Sequence, residues 1–330
     1  MKFAILCLVL FTTFHCGIAL LLKCDFEFRE YEGKRYSCLS FKLKIHDANM
    51  PITGVRGIHL LNLTDTDVGG LSVYKQEVFF IPEGIIDYFP DITKLIIYKS
   101  ALTEISKKNM VELQNLTGLY LGGNSIEFIP NDTFSELPKL KDLALSQNKL
   151  TDLDTNLFDN LITLEKLWLH ENQLEEIDVD MFKNNINLEY IFLQKNLLTS
   201  IDGKLFLNNK KMRYIELSGN QIKSIGSQLL TGLKRLSEVH LHNNPCIDKG
   251  YRDTFGPILT MTNEILWRCP MEGEIFEEVT EENENEIEEN KINDLTNEVE
   301  ALKLRISDLK IRNDAFKEAA CQHHHNHNHK

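Results

Sequence analysis

Between Leu39 and Pro245 the chain has no cysteine; all seven lie near its ends, so any disulfide belongs there. After Lys23 no apolar run is long enough to span a bilayer, which leaves no second candidate for a membrane-spanning helix. The C-terminal QHHHNHNHK carries no lipid-anchor signal. Positive charge is in deficit, with 36 basic against 49 acidic side chains and a formal charge of −13. Nucleic-acid binding through a basic groove therefore has little support. Catalytic signatures are missing too: there is no serine elbow, HExxH, phosphate loop or paired-carboxylate motif, so the chain reads as no enzyme.

What is present begins with MKFAILCLVLFTTFHCGIALLLK, a lysine followed by an apolar run, with Gly17-Ile18-Ala19 offering a small-x-small cleavage site. Residues 1–19 are expected to be a secretory signal peptide, the alternative being an N-terminal membrane anchor. The expected location is secreted and extracellular. Without Cys7 and Cys16, five cysteines remain. Their spacing points to two local bridges, Cys24–Cys38 and Cys246–Cys269, although other pairings stay open. Cys321 is left over, and an odd cysteine in an exported chain suggests an inter-chain disulfide.

A repeat governs the middle. LTGLYLGGN ends at Asn124, LKDLALSQN at Asn148, LEKLWLHEN at Asn172, LEYIFLQKN at Asn196, MRYIELSGN at Asn220 and LSEVHLHNN at Asn244. The spacing from one asparagine to the next never varies. Ser100 and Gln76 take the asparagine's place one and two steps earlier. Leu150, Leu153, Phe158 and Leu161 recur as Leu174, Ile177, Phe182 and Ile186, the last displaced by one residue. A single such unit cannot bury its own apolar face, but stacked neighbours share one continuous core.

These motifs resemble extracellular leucine-rich repeat proteins of the 24-residue class over residues 52–269. The resemblance implies an α/β-type solenoid: a curved horseshoe with short parallel strands on its concave face. Its asparagines would turn inward onto strand-edge backbone groups, and Phe134, Phe158, Phe182 and Phe206 would stack along the convex side. The implied organisation is a cap at 20–51, repeats at 52–244 and a second cap at 245–270, each cap holding two cysteines where the family more often has four.

Strand side chains alternate, so the residue between the two leucines of LxLxxN points outward. That position holds Ile96, Tyr120, Ala144, Trp168, Phe192, Glu216 and His240, and the position two earlier adds Tyr190 and Tyr214. Tyr120, Trp168, Tyr190, Phe192 and Tyr214 are expected to form a protein-binding patch on the concave face, against the alternative of scattered surface aromatics. His170, His240 and His242 share that face; His170 lies three repeats from His240, too far for one metal, and His240 with His242 would need a third ligand. Asn62, Asn115 and Asn131 head N-glycosylation sequons, the last two outside the strands.

Composition changes after Pro270. Residues 271–287 read as an acidic linker, within a stretch holding ten glutamates and no base from Glu272 to Glu289. Residues 288–320 carry a heptad, with Ile292, Val299, Ile306 and Asn313 at a and Leu295, Leu302, Leu309 and Phe316 at d. This pattern favours a parallel two-stranded coiled coil, the alternative being an amphipathic helix folded onto the solenoid. A homo- or heterodimer through this helix is the expected assembly. In the tail at 321–330, His323, His324, His325, His327 and His329 can bind zinc, copper or nickel weakly, or be inert; no cofactor is otherwise expected.

Signal peptide, repeats, cysteine cap and coiled coil in this order resemble the secreted leucine-rich immune proteins of mosquito haemolymph. That resemblance implies disulfide-linked dimers that bind a complement-like thioester protein, with Cys321 as the inter-chain candidate. The chain lacks that family's adjacent cysteine pair between repeats and coil. The functional expectation is a secreted, non-enzymatic module, of an innate immune or complement-like kind, that holds an extracellular protein ligand on its concave face and oligomerises through its tail. A matrix-associated structural protein and a soluble receptor antagonist are the alternatives.

Overall fold

A computed structural model of the chain describes residues 20–29, 35–252, 262, 264–265 and 267–271. All belong to the first of two compact units, Met1–Glu274 and Ile275–Lys330. Its centre is a curved, 12-stranded sheet. Strands Gly70–Tyr74, Lys94–Tyr98, Gly118–Tyr120, Asp142–Ala144, Lys166–Trp168, Tyr190–Phe192, Tyr214–Glu216 and Glu238–His240 follow one another in sequence order, all parallel. The register never slips along this stack, so Leu119, Leu143, Leu167, Ile191 and Ile215 form one fully buried column.

Antiparallel pairs close this parallel stack at each end. Leu20–Arg29 pairs with Arg35–Ser40 at one end, and Gly250–Arg252 pairs with Glu238–His240 at the other. Disulfides Cys24–Cys38 and Cys246–Cys269 lie in these two caps, with Cα–Cα distances of 5.1 and 5.2 Å. Solenoid ends expose apolar core, and the caps cover it.

The regularly spaced asparagines act as backbone caps. Asn172 Nδ2 donates to the carbonyls of Leu145 and Leu169, both at 2.9 Å, while its Oδ1 accepts the Leu150 N–H at 3.2 Å. The Leu145 and Leu169 carbonyls also accept from Asn148 and Asn196, at 2.9 and 3.1 Å, so neighbouring asparagines share each buried carbonyl. Where asparagine is replaced, the role persists: Gln76 donates to the Tyr74 carbonyl and accepts from the Leu43 N–H. The residue just before each asparagine, or before Gln76 or Ser100 in its place, adopts a left-handed conformation, from Lys75 at φ 54° to Asn243 at φ 56°. That turn swings the asparagine inward.

The expected α/β solenoid is corrected to a β-solenoid. The return arcs are chains of tight turns, closed by bonds such as Leu157 N–H to Asp154 and Leu161 N–H to Phe158. A circuit that spends half its length on strand and asparagine turn leaves too little chain for a regular helix. Phe134, Phe158, Phe182 and Phe206 stack inside these arcs at 6.4, 6.2 and 6.0 Å, all fully buried. Ile186 is a further correction: it is 55% exposed, and Asn185 fills the buried slot. The Asn185 amide donates to the Phe158 and Leu161 carbonyls, which an isoleucine cannot satisfy.

The C-terminal coiled coil is corrected as well. Residues 288–320 lie outside the described residues, as do Cys321 and His323, His324, His325, His327 and His329. Among the described residues the helices Ile85–Tyr88 and Lys107–Met110 are single turns, and helical residues recur in the second cap at Thr262, Glu264, Ile265, Trp267 and Arg268. Among the described residues no long helix supports the expected oligomerisation. The tail-mediated homo- or heterodimer is therefore withdrawn. Among the described residues no helix is long and apolar enough to cross a membrane.

Candidate functional site

Three columns of side chains stand outward on the concave sheet, because alternate residues of each strand face away from the core. In the middle column Leu167 and Leu169 are fully buried on either side of Trp168, which is half-buried and outward. The same alternation places Tyr120, Phe192 and Glu216. Tyr190 and Tyr214 stand in the column before it, paired in register on adjacent strands.

The five aromatics expected to form a patch are all in one connected row. Trp168 stacks on Phe192 at 5.6 Å with planes 3° apart, and Phe192 meets Tyr214 at 5.2 Å. Tyr190 lies 6.5 Å from Tyr214. Tyr120 reaches Trp168 at 6.3 Å although the strand of Ala144 runs between them. A large side chain at 144 would separate those rings. The row continues beyond expectation through His240, 5.3 Å from Tyr214, to His242.

Charges border the row. Glu216 accepts the Tyr214 hydroxyl at 3.0 Å, and burial first, then this carboxylate, pushes the phenol well above its ordinary range. Glu238 lies 3.1 Å from His240 and pairs with Arg252; these bonds hold its carboxyl below the usual range. Burial lowers the pKa of His170, with Glu171 opposing. Among the described residues no cluster of three or more metal-ligating groups occurs.

Sequence reasoning missed part of the third column, two residues past the middle one. Of its members His170 and His242 were placed on this face from sequence, but Tyr74 and Tyr98 were not, and strand alternation extended by one more residue would have found them. Asn62, Asn115 and Asn131 are all exposed. The Asn115 side-chain Oδ1 accepts from Lys139 Nζ at 2.7 Å.

Residues 90–245 match, in four overlapping spans (90–150, 138–198, 162–222 and 186–245), the family described as "Leucine rich repeat". With the strand register, this defines the class of the fold: a leucine-rich-repeat-like β-solenoid. A solved structure described as "Crystal structure of TLR13-ssRNA13 complex" is similar over 54% of this chain, with 29% identity and a TM-score of 0.51. The chain covers 25% of that one, so it spans about a quarter of that protein's length. The comparison with curated proteins gives no match. Nothing in these comparisons ties the chain to mosquito haemolymph proteins in particular.

Proposed function

We propose that this chain is a secreted, non-enzymatic recognition module that holds a polypeptide against the aromatic row of its concave face. The observation that carries the reading is the row itself. Trp168, Phe192 and Tyr214 are in ring-to-ring contact on a rigid sheet, half-buried and outward, over a fully buried leucine layer. Pre-ordered aromatics lose little entropy on binding and dominate interface energetics. The similar structure's description names ssRNA13 for that protein; here Glu216 and Glu238 border the row, which supports a polypeptide instead. Export is supported by the leader-like sequence at 1–19 and by two disulfides, a bond kept in oxidising compartments. Asn62, Asn115 and Asn131 are proposed as glycan positions, exposed and off the concave columns. The kinship with mosquito haemolymph immune proteins stays a narrower proposal, supported only by the order of leader, repeats and cysteine caps.

The test is selection from a random-peptide display library against the wild type and a Tyr190→Ala/Phe192→Ala double variant. The expected result is a set of enriched peptides that bind the wild type and lose the variant. Peptides that bind both equally would move recognition off the row.

A further inference from the structure

Toward the N-terminal cap the concave face carries a second feature, a trough of about 480 Å³. Its floor includes Ser72 and Ile96, and Tyr74, Tyr98 and Tyr120 rise around them. The size lies within the range of small-molecule sites. Its charge is opposite to the chain's: Arg29, Arg35 and Lys94 line it, and no aspartate or glutamate does, in a protein of formal charge −13.

Two of these cations are held by carboxylates that do not line the trough. Arg29 pairs with Glu27 at 2.7 Å and Lys94 with Asp142 at 3.3 Å. Arg35 differs. Its guanidinium donates to the Thr93 hydroxyl, its Nε has no hydrogen-bond partner, and no carboxylate among the described residues pairs with it. Nε itself is sealed from solvent, so an anion bound in the trough would meet the guanidinium at its Nη groups and supply the counter-charge that no described carboxylate gives it. Beside it, the tyrosines offer faces and edges for a flat ring.

We propose that this trough is a pocket for a small aromatic anion, a flat ring bearing a carboxylate or a phosphate. The ring lies over Ser72 and Ile96 among the tyrosines, and the anionic group meets Arg35. The pocket deepens the reading of the concave face as a binding surface, since it adjoins the aromatic row at Trp168. A polypeptide ligand with an aromatic residue next to an acid would engage both. Phe192 and Tyr190 lie outside the trough, so peptide selection reports on the row and small-molecule titration on the pocket.

The experiment is calorimetric titration of the full chain with N-acetylphenylalanine and phenyl phosphate, beside their neutral counterparts N-acetylphenylalaninamide and phenol. At least one acid is expected to bind about tenfold or more tightly than its neutral counterpart, and the tighter acid identifies the anionic group. Ile96→Trp, which fills the trough from an outward position, should abolish binding. Arg35→Leu should erase the difference between acid and neutral forms. Absence of binding by both acids, equal binding of neutral forms, or full binding by a folded Ile96→Trp protein would each overturn the proposal.

Discussion

Lys94 and Asp142 stand 48 residues and two strands apart, yet their side chains meet at 3.3 Å across Gly118. Both also reach the Tyr120 hydroxyl, at 3.2 Å each. The contact exists because the intervening strand offers no side chain: a Cβ at 118 would lie 2.9 Å from Lys94 Cδ and 2.7 Å from the Tyr120 ring. Ala144 does the same for Tyr120 and Trp168. Small residues in one repeat let the repeats on either side touch.

This pair is mostly buried, with 10% and 11% of the two side chains exposed. Asp142→Leu alone should destabilise the solenoid by about 2 kcal/mol, because an ammonium loses its counter-charge in a low-dielectric setting. Lys94→Met combined with Asp142→Leu should recover most of that loss. Urea unfolding of the two single variants and the double variant gives the coupling directly. Additive losses would show that the contact contributes nothing.

The left-handed residues before each asparagine offer a paired test. Lys75, exposed at φ 54°, is strained by its Cβ, so Lys75→Gly should be neutral or stabilising by up to about 1 kcal/mol. Gly123 sits at φ 69°, and an added Cβ would meet Lys99 Cγ at 2.5 Å. Gly123→Ala should cost about 1–2 kcal/mol. Thermal denaturation of both variants checks the opposite signs.

On the convex arc, Asn185 and not Ile186 holds the structural position. Asn185→Ala should cost about 1 kcal/mol, because the Phe158 and Leu161 carbonyls lose the amide donor and keep only the turn N–H groups of Leu161 and Leu164. Ile186→Lys should stay within about 0.5 kcal/mol of wild type, because the side chain already faces solvent. Denaturant midpoints of the two variants distinguish these roles.

His170 makes the face sensitive to acid. Burial lowers its pKa below the ordinary 6.5, so the folded chain holds this proton less tightly than the unfolded one. Stability from this group is complete above about pH 6.5 and declines as pH falls through that value toward the folded pKa. Melting curves from about pH 8 to about pH 5 should fall less steeply for His170→Gln than for wild type. Parallel curves would place the titration elsewhere.

The repeat was legible because one strict register shows through at Asn124, Asn148, Asn172, Asn196, Asn220 and Asn244, and alternation set Trp168 outside the core. Ile186 was misplaced because hydrophobicity was allowed to outrank position. The register at 185 demands a buried residue, and an asparagine is tolerated there only because carbonyls of the preceding arc are aimed at it. That aim cannot be seen in one repeat. A heptad over 288–320 is likewise a local pattern, and local amphipathicity does not establish that a partner surface exists.

Local sequence by itself determined what depends on near neighbours: the strands, the inward leucines, the asparagine turns and the outward aromatics. Only tertiary structure decided which outward residues meet. Tyr120 joins Trp168 because Ala144 is short, Lys94 joins Asp142 because Gly118 has no side chain, and Arg35 reaches Thr93, 58 residues away. Each of these contacts depends on how much space a different repeat leaves free, a quantity that arises when the solenoid stacks.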